Sequence, residues 1–208
     1  MADEWFRTSE WSAAATDEFE ARLRRARPHN QSQYLRIKAL ALIGAGRPRD
    51  GAGLLHRIVA DNPDSLDARF AHELLGDFYR EEGRLRDAEA EYRVVLVLAP
   101  DLSGTTGELH VALGEVLFEQ GGAERLEEIA SLLTDAQPHM RFNSSIFRWR
   151  LLAARTAEVR EDPDGCRSNA LAALDLVGRE PQFARHPTVG RADPSLETIA
   201  ELQRLAGG

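Results

Sequence analysis

The sequence contains a single cysteine, Cys166, and no long apolar run. One cysteine cannot form a disulfide within the chain, and such usage is typical of a reducing compartment. A membrane-spanning helix needs about 20 consecutive apolar residues, and no stretch approaches that length. The opening residues, MADEWFRTSE, lack the basic start and the apolar stretch of a signal peptide. We therefore expect a cytoplasmic protein.

Lysine is also scarce, because Lys38 is the only one although lysine and arginine together number 26. This preference for arginine is typical of a GC-rich, bacterial genome. The formal net charge is −8, whereas nonspecific binding to nucleic acid requires a basic surface. We expect neither a nucleic acid nor a membrane as a partner.

Long stretches rich in Ala, Leu, Glu and Arg, with few β-branched runs, predict helices throughout. The first helix, capped by Thr8 or Ser9, is expected to end near Ala26, before Pro28. The others are expected at residues 31–45, 48–61, 65–82, 85–99, 106–120, 123–136, 144–160, 164–177 and 195–206. Residues 178–194, with three prolines, are interpreted as an irregular loop.

Residues 69–102 contain the most informative pattern in the chain. Small, aromatic and proline residues stand there at characteristic positions: Gly76, Tyr79, Gly83, Ala88, Tyr92 and Pro100. This stretch resembles a tetratricopeptide repeat (TPR), a pair of antiparallel helices of about 34 residues. Gly76 and Ala88 would let the two helices cross closely, and Gly83 would end the first helix in a left-handed conformation.

Weaker copies of the same frame lie on either side, at residues 32–65, 107–140 and 147–180. A single repeat cannot bury its apolar face, so the resemblance implies neighbouring repeats that stack on one another. The expected fold is all-α, a TPR-like helical-hairpin solenoid of about four hairpins. Its expected parts are an N-terminal aromatic segment and helix at 1–30, four TPR-like repeats at 31–180, and a loop with a C-terminal capping helix at 181–208.

Motifs that suggest catalysis are incomplete. His72 and Glu73 begin an H-E-x-x-H zinc motif, but Gly76 stands where the second histidine is required. The glycines between positions 44 and 53 lack the G-K-[ST] ending of a phosphate-binding loop. We therefore expect no enzymatic activity, no metal and no cofactor, and we interpret His72 and His110 as packing residues.

In TPR proteins, partner segments usually lie in the groove lined by the first helix of each repeat. The resemblance places Gln33 and Leu40 on that face, together with these candidate partner-binding residues: Arg36, Phe70, Glu73, Asp77, Glu115, Phe118, Arg148 and Arg155. The set is acidic in the middle and basic at both ends. It implies a protein or peptide partner with basic and apolar residues. The Lys/Asn set of the TPR subgroup that clamps C-terminal carboxylates is missing.

Three functions remain open at this point. The preferred one is a non-catalytic adaptor whose groove holds a peptide or helix of another protein. The second is a structural subunit that self-associates, as a homodimer, through the aromatic residues Trp5, Phe6 and Trp11 or through its ends. The third is a small-ligand sensor or an enzyme on a helical scaffold, which a fold alone does not exclude.

Overall fold

The computed structural model describes residues 4–207, apart from the side chain of Ala123. Over these residues the chain is helical and contains no strand. Residues 1–3 and 208, at the outer ends of the expected segments 1–30 and 181–208, lie outside the described residues. The α-helices are α1 (Ala13–Arg25), α2 (Pro28–Gly44), α3 (Pro48–Asp61), α4 (Leu66–Glu81), α5 (Leu85–Leu98), α6 (Leu109–Gln120), α7 (Leu126–Ala136), α8 (Asn143–Val159), α9 (Pro163–Leu174) and α10 (Leu196–Gly207). Short 3-10 turns lie at Ala123–Arg125 and Gln137–His139.

The chain divides into two compact units, of which the first ends at Thr106 and the second begins at Gly107. Unit 1 contains α1 to α5. Within it, α2 and α3 form one helical hairpin and α4 and α5 form another. The hairpins pack through α3 and α4, and α2 also contacts α4.

Local residue chemistry sets the helix ends of unit 1. Pro48 occupies the first turn of α3, where its missing N–H costs no hydrogen bond. Ser65 caps α4, because its hydroxyl accepts a hydrogen bond from the Ala68 amide at 3.0 Å. Gly46 and Gly83 follow α2 and α4 with φ of +76° and +74°. The predicted left-handed helix ending at Gly83 is therefore confirmed.

One glycine of α3, Gly51, also serves packing. A Cβ at Gly51 would lie 2.6 Å from Ile43 Cγ1 and 2.9 Å from the Ala39 carbonyl oxygen, so α2 and α3 approach closely there. The helices of unit 1 contribute these buried side chains: Leu35, Leu42, Leu55, Ile58, Leu75 and Tyr92. Of the glycines between positions 44 and 53, Gly46 therefore serves the turn after α2 and Gly51 serves packing.

Unit 2 contains α6 to α10. The helices α6 and α7 pack together, α8 and α9 form a hairpin, and α8 contacts α6 and α7. Residues 175–195 contain no helix or strand, in agreement with the expected irregular loop. A buried hydrophobic cluster of unit 2 includes Phe147, Ala154, Ala170, Ala173, Leu202 and Leu205. Further buried side chains of this unit are Leu113, Leu117, Ile129 and Leu152.

The C-terminal helix α10 packs on α9 and, less extensively, on α8. Leu202 and Leu205 are buried, as their spacing predicts. The sequence also predicts Leu196 on this apolar face, by helical spacing, but the side chain is 86% exposed, so that prediction is wrong. Leu196 is the first residue of α10, and the later turns of the helix make its contacts with the core.

The first helix begins later than expected. It starts at Ala13, and its cap is Ser12, whose hydroxyl accepts from the Ala15 amide at 3.3 Å. The expected cap at Thr8 or Ser9 is wrong. The hydroxyl and carbonyl oxygens of Thr8 accept hydrogen bonds from Lys38 instead.

Candidate functional site

Arg36 is the first of the candidate partner-binding residues, and it joins two helices of unit 1. Its Nε donates to Asp67 Oδ1 at 2.6 Å, which ties α2 to α4. Its guanidinium lies 5.2 Å from the ring centroid of Phe70, also on α4 and half-buried. The structure thus brings Arg36 and Phe70 together, as a cation–π pair beside an ion pair.

Glu73 belongs to the interior of unit 1. It is 3% exposed, and its carboxylate accepts hydrogen bonds from the Thr106 amide, at 2.9 Å, and from the Thr106 hydroxyl. A buried carboxylate requires such partners, because burial without them costs several kcal/mol. The expectation that Glu73 lines an open groove is therefore wrong. The residue instead holds the end of the loop that follows α5.

Asp77 lies one turn further along α4 and is exposed. Its Oδ1 accepts a hydrogen bond from the Tyr92 hydroxyl at 2.6 Å. The Asp77 carboxylate therefore provides a hydrogen-bond acceptor for the hydroxyl of the buried Tyr92 on α5, and the Asp77 residue remains accessible to water. Of the acidic candidates in unit 1, Asp77 is the one at the surface.

In unit 2, Arg148 of α8 binds two carboxylates, those of Glu115 on α6 and of Glu108, the residue before α6. Its Nη2 and Nε lie 2.7 and 3.1 Å from the two oxygens of Glu115, and its Nη1 lies 2.7 Å from Glu108 Oε2. Such a bidentate geometry is the strong form of this ion pair. The Glu115 side chain is only 13% exposed, so the expectation that it is exposed is wrong. Phe118, on the same helix, is half-buried.

Arg155, the last candidate, also forms a bidentate pair. Its Nε and Nη2 donate to the two carboxylate oxygens of Glu201, at 2.8 and 2.6 Å, and so tie α8 to α10. The hydrogen bond from Arg155 lowers the pKa of the Glu201 carboxyl. All three candidate arginines therefore bind carboxylates of a neighbouring helix in their own unit. A spacing rule does not predict these pairs, because each joins residues more than 30 positions apart.

An open groove lies along α2 in unit 1. Its volume is about 570 Å³, and we call it the α2 groove after its lining residues: Arg7, Gln33, Arg36, Ile37, Leu40 and Ala41. Gln33, Arg36 and Leu40 are the three residues that the repeat register assigns to the first unit of the partner-binding face. Arg7 was not among the predicted groove residues, because it precedes the expected first helix and lies outside the repeat register.

The segment that contributes Arg7 folds back onto α2. We call residues 4–11 the N-terminal strap. The ring of Phe6 stacks on Tyr34 at 4.6 Å, and Trp5 contacts Tyr34 at 5.3 Å between centroids. Trp11 packs edge-on against Phe19 at 5.5 Å. The three aromatic residues proposed for self-association therefore make contacts within unit 1.

Lys38 anchors the N-terminal strap and is 1% exposed. Its ammonium donates to the Thr8 carbonyl at 2.7 Å, the Thr8 hydroxyl at 3.0 Å and the Glu10 carbonyl at 2.9 Å. These three acceptors match the three N–H donors of a lysine. Burial lowers the pKa of Lys38, and nearby Glu10 opposes this effect. The burial of Lys38 has one indication in the sequence, because Lys38 lies at helical spacing from the apolar residues Leu35 and Leu42 and therefore on the same face of α2.

The histidines occupy packing positions. His72 Nδ1 lies 2.6 Å from Glu91 Oε2 on α5, so this side chain joins the two helices of its hairpin. His110 stacks on His139, with 6.1 Å between ring centroids. In the described part of the chain, no group of three or more His, Cys, Asp or Glu side chains is placed to hold a metal ion. Cys166 is buried, and burial raises the pKa of its thiol.

Comparison with known proteins leaves the family open. No protein-family model and no curated protein sequence matches the chain. Within residues 4–207, no helix has both the length and the apolar composition required to cross a bilayer.

Proposed function

We propose that the chain is a non-catalytic, cytoplasmic adaptor of TPR type, which binds a peptide or helix of a partner protein on the face formed by its first helices. The observation that carries this proposal is the α2 groove. Gln33, Arg36 and Leu40 line it together, and these are positions that a TPR register assigns to the partner. An open groove with apolar lining residues and a few polar groups is a common form of a peptide-binding site.

The hairpin of α4 and α5 supports the TPR part of the proposal. Ala88 is fully buried, Gly83 has a positive φ, and Gly76 faces the ring of Tyr92. In unit 1 the first helices α2 and α4 of successive hairpins contact each other, and in unit 2 so do α6 and α8. Adjacent first helices are what a hairpin solenoid requires within each unit.

The chemistry of the partner follows from which candidate side chains remain at the surface. Glu73 is buried and Glu115 is held by Arg148, so neither supports the expected recognition of basic residues. Asp77 is exposed and is the remaining support in unit 1 for a basic partner residue. The apolar lining residues of the α2 groove support the other half of the expectation, a partner segment with apolar side chains.

The test begins with a photo-crosslink from the α2 groove. Benzoylphenylalanine in place of Leu40, which is 37% exposed, should capture a partner in host extract. The partner is then identified and purified, and its Kd is measured. Leu40→Asp should raise the Kd at least about tenfold, or about 1.4 kcal/mol. Val97→Asp is the matched control, because Val97 is 79% exposed on α5 and lies outside the groove.

The self-association alternative is distinguished in the same experiment. Its proposed aromatic surface is occupied by contacts within unit 1, so we favour the adaptor. A salt-resistant dimer in light scattering, combined with no crosslink from position 40 to another protein, would overturn the adaptor and support a structural subunit. A small molecule or metal that copurifies with the chain would favour a ligand sensor or enzyme.

A further inference from the structure

The α2 groove differs in charge from the rest of the protein. The chain has a formal net charge of −8, yet the lining of the groove includes two arginines and no carboxylate. The helix that forms its floor, α2, contains no Asp or Glu from Pro28 to Gly44. Each of these arginines also pairs with a carboxylate outside the lining, Glu4 or Asp67, so the groove offers guanidinium donors and no acidic group of its own. Such a lining favours anionic partner groups, which can accept from the guanidiniums, over basic ones.

The two arginines keep donors for a ligand. Arg7 binds Glu4 through Nε at 3.1 Å, and Arg36 binds Asp67 through Nε at 2.6 Å. The Nη1 and Nη2 atoms of both side chains make no hydrogen bond to the described residues. A guanidinium has five N–H donors, and its outer pair of nitrogens can bind a carboxylate side-on. Each arginine can therefore bind a second carboxylate without releasing the first.

Half of the lining residues are apolar. They are Ile37, Leu40 and Ala41, and Leu40 is 37% exposed. Positions 33, 37 and 40 are spaced by one helical turn each, so they form a stripe along one face of α2. A ligand along this stripe would meet apolar side chains and a guanidinium within the same turn.

The N-terminal strap forms one wall of the groove, because it supplies Arg7. The residue after Arg7 is Thr8, whose carbonyl and hydroxyl bind the Lys38 ammonium at 2.7 and 3.0 Å. The residue before it is Phe6, which stacks on Tyr34. Arg7 is thus fixed from both sides, and Lys38 is the residue that positions it.

We propose that the α2 groove binds a partner segment in which carboxylates alternate with apolar side chains, and that Lys38 positions the N-terminal strap as the wall that presents Arg7 to this segment. This inference rests on the proposed function and specifies the partner of the same groove. The carboxylates bind Arg7 and Arg36, and the apolar side chains pack on Ile37 and Leu40. Lys38 acts through the N-terminal strap and does not contact the partner.

The experiment uses two capped peptides as probes, one of alternating aspartate and leucine and one of alternating lysine and leucine. Amide chemical shifts of the ¹⁵N-labelled full chain are followed at millimolar peptide. The aspartate peptide should shift the amides of Arg7, Gln33 and Leu40, and the lysine peptide should leave them in place. The indole of Trp149 in unit 2, which donates to the Leu133 carbonyl at 2.7 Å, is the internal reference.

Variants assign the effect to named residues. Arg7→Gln combined with Arg36→Gln should weaken binding of the aspartate peptide at least about tenfold, as loss of two charge-assisted contacts implies. Arg86→Gln, an exposed arginine of α5, should leave the affinity unchanged. Lys38→Met should weaken peptide binding and also speed tryptic cleavage after Arg7, with no change in cleavage after Arg179 in the loop of unit 2.

The result that overturns this inference is equal shifts with both peptides, or no shift with the aspartate peptide. Unchanged cleavage after Arg7 in Lys38→Met would overturn the role of Lys38. A partner crosslinked from position 40 together with an inert aspartate peptide would reject the acidic segment and keep the adaptor. Absence of any partner at position 40 would instead reject the proposed function.

Discussion

The aromatic ring of Tyr92 occupies the space that a side chain at position 76 would need. A Cβ added to Gly76 would lie 2.3 Å from Tyr92 Cε1, whereas carbon atoms in contact are about 3.5–4.0 Å apart. Tyr92 is fully buried, and its hydroxyl donates to Asp77 at 2.6 Å. The ring is therefore fixed at both ends, and the crossing of α4 and α5 requires glycine.

The first prediction follows from this contact. Gly76→Ala should lower the free energy of unfolding by about 1–3 kcal/mol, because the added methyl group overpacks the crossing. Gly53→Ala is the control, because Gly53 lies within α3 and no atom stands within 4 Å of an added Cβ. Alanine there should be neutral or stabilise by about 0.4–1 kcal/mol. Urea denaturation of both variants measures the change in the free energy of unfolding. Equal changes in the two variants would mean that the Tyr92 ring can move to accommodate a methyl group at position 76.

The second prediction concerns the other small residue of the same hairpin. Ala88 is completely buried, whereas Ala90, two residues later on α5, is exposed. Ala88→Leu should cost about 1–3 kcal/mol of unfolding free energy, and Ala90→Leu should stay within about 0.5 kcal/mol. The measurement is the urea midpoint of each variant. Identical midpoints would place the helix crossing elsewhere on α5.

The third prediction uses the single lysine as a reporter of the N-terminal strap. Burial lowers the pKa of Lys38, which favours reaction with an acylating reagent, so slow acylation of the native protein would report coverage. Phe6→Ala should speed acylation of Lys38, because loss of an aromatic pair costs about 0.5–1.5 kcal/mol. Phe183→Ala removes an exposed ring from a comparable pair in unit 2 and should have no effect. Mass spectrometry of the peptide that contains Lys38 measures the acylation rate. Rapid acylation of Lys38 in the unaltered chain would contradict its coverage by the N-terminal strap.

Local chemistry explains why most helix ends could be predicted. Gly46, Gly83 and Pro48 act through their own backbone geometry, so their effect on the chain requires no knowledge of distant residues. The expected helix at 48–61 has the observed bounds, and the one at 85–99 ends one residue early. Gly76 and Ala88 could be predicted as crossing positions because residues 69–102 resemble a known repeat pattern.

The site was less predictable because its charges are satisfied over long distances. The repeat register places the acidic residue Glu73 on the groove face. Its carboxylate is instead buried, where it accepts hydrogen bonds from the amide and hydroxyl of Thr106. Arg148 and Glu115 are 33 positions apart in sequence, so their pairing depends on how α6 and α8 pack. Register fixes which face of a helix a residue occupies. It does not determine whether a neighbouring helix supplies an opposite charge.

The fourth prediction separates a structural Glu73 from a partner-binding one. Glu73→Ala should lower the free energy of unfolding by about 1.5–3 kcal/mol, because it removes the buried carboxylate that accepts from the Thr106 amide and hydroxyl, and hydrogen bonds to charged groups contribute about that much. Glu81→Ala, at an exposed position of the same helix, should stay within about 0.5 kcal/mol. The Kd for a crosslinked partner should be the same in folded Glu73→Ala as in the unaltered chain. If Glu73→Ala keeps the stability of the unaltered chain but no longer binds the partner, Glu73 belongs to the binding face.

The fifth prediction is a pH dependence that originates at His110. Its Nδ1 is buried and has no hydrogen-bond partner among the described residues. Burial lowers the pKa of His110 below 6.5; Asp135 opposes this shift, and neighbouring His139 adds to it. Because the pKa is lower in the folded state, the unfolded chain takes up the proton first as the pH falls. The contribution to stability is therefore complete above 6.5 and is lost as the pH falls toward the folded-state pKa.

Replacement of this histidine should remove that part of the pH dependence. His110→Leu should show a smaller loss of unfolding free energy than the unaltered chain between about pH 7 and about pH 5, where a histidine titrates. His29→Leu is the matched control, because His29 is exposed on α2, and it should keep the slope of the unaltered chain. Urea unfolding of all three proteins at both pH values gives the comparison. If His110→Leu and His29→Leu lose the same free energy of unfolding on acidification, the buried Nδ1 of His110 does not carry the effect.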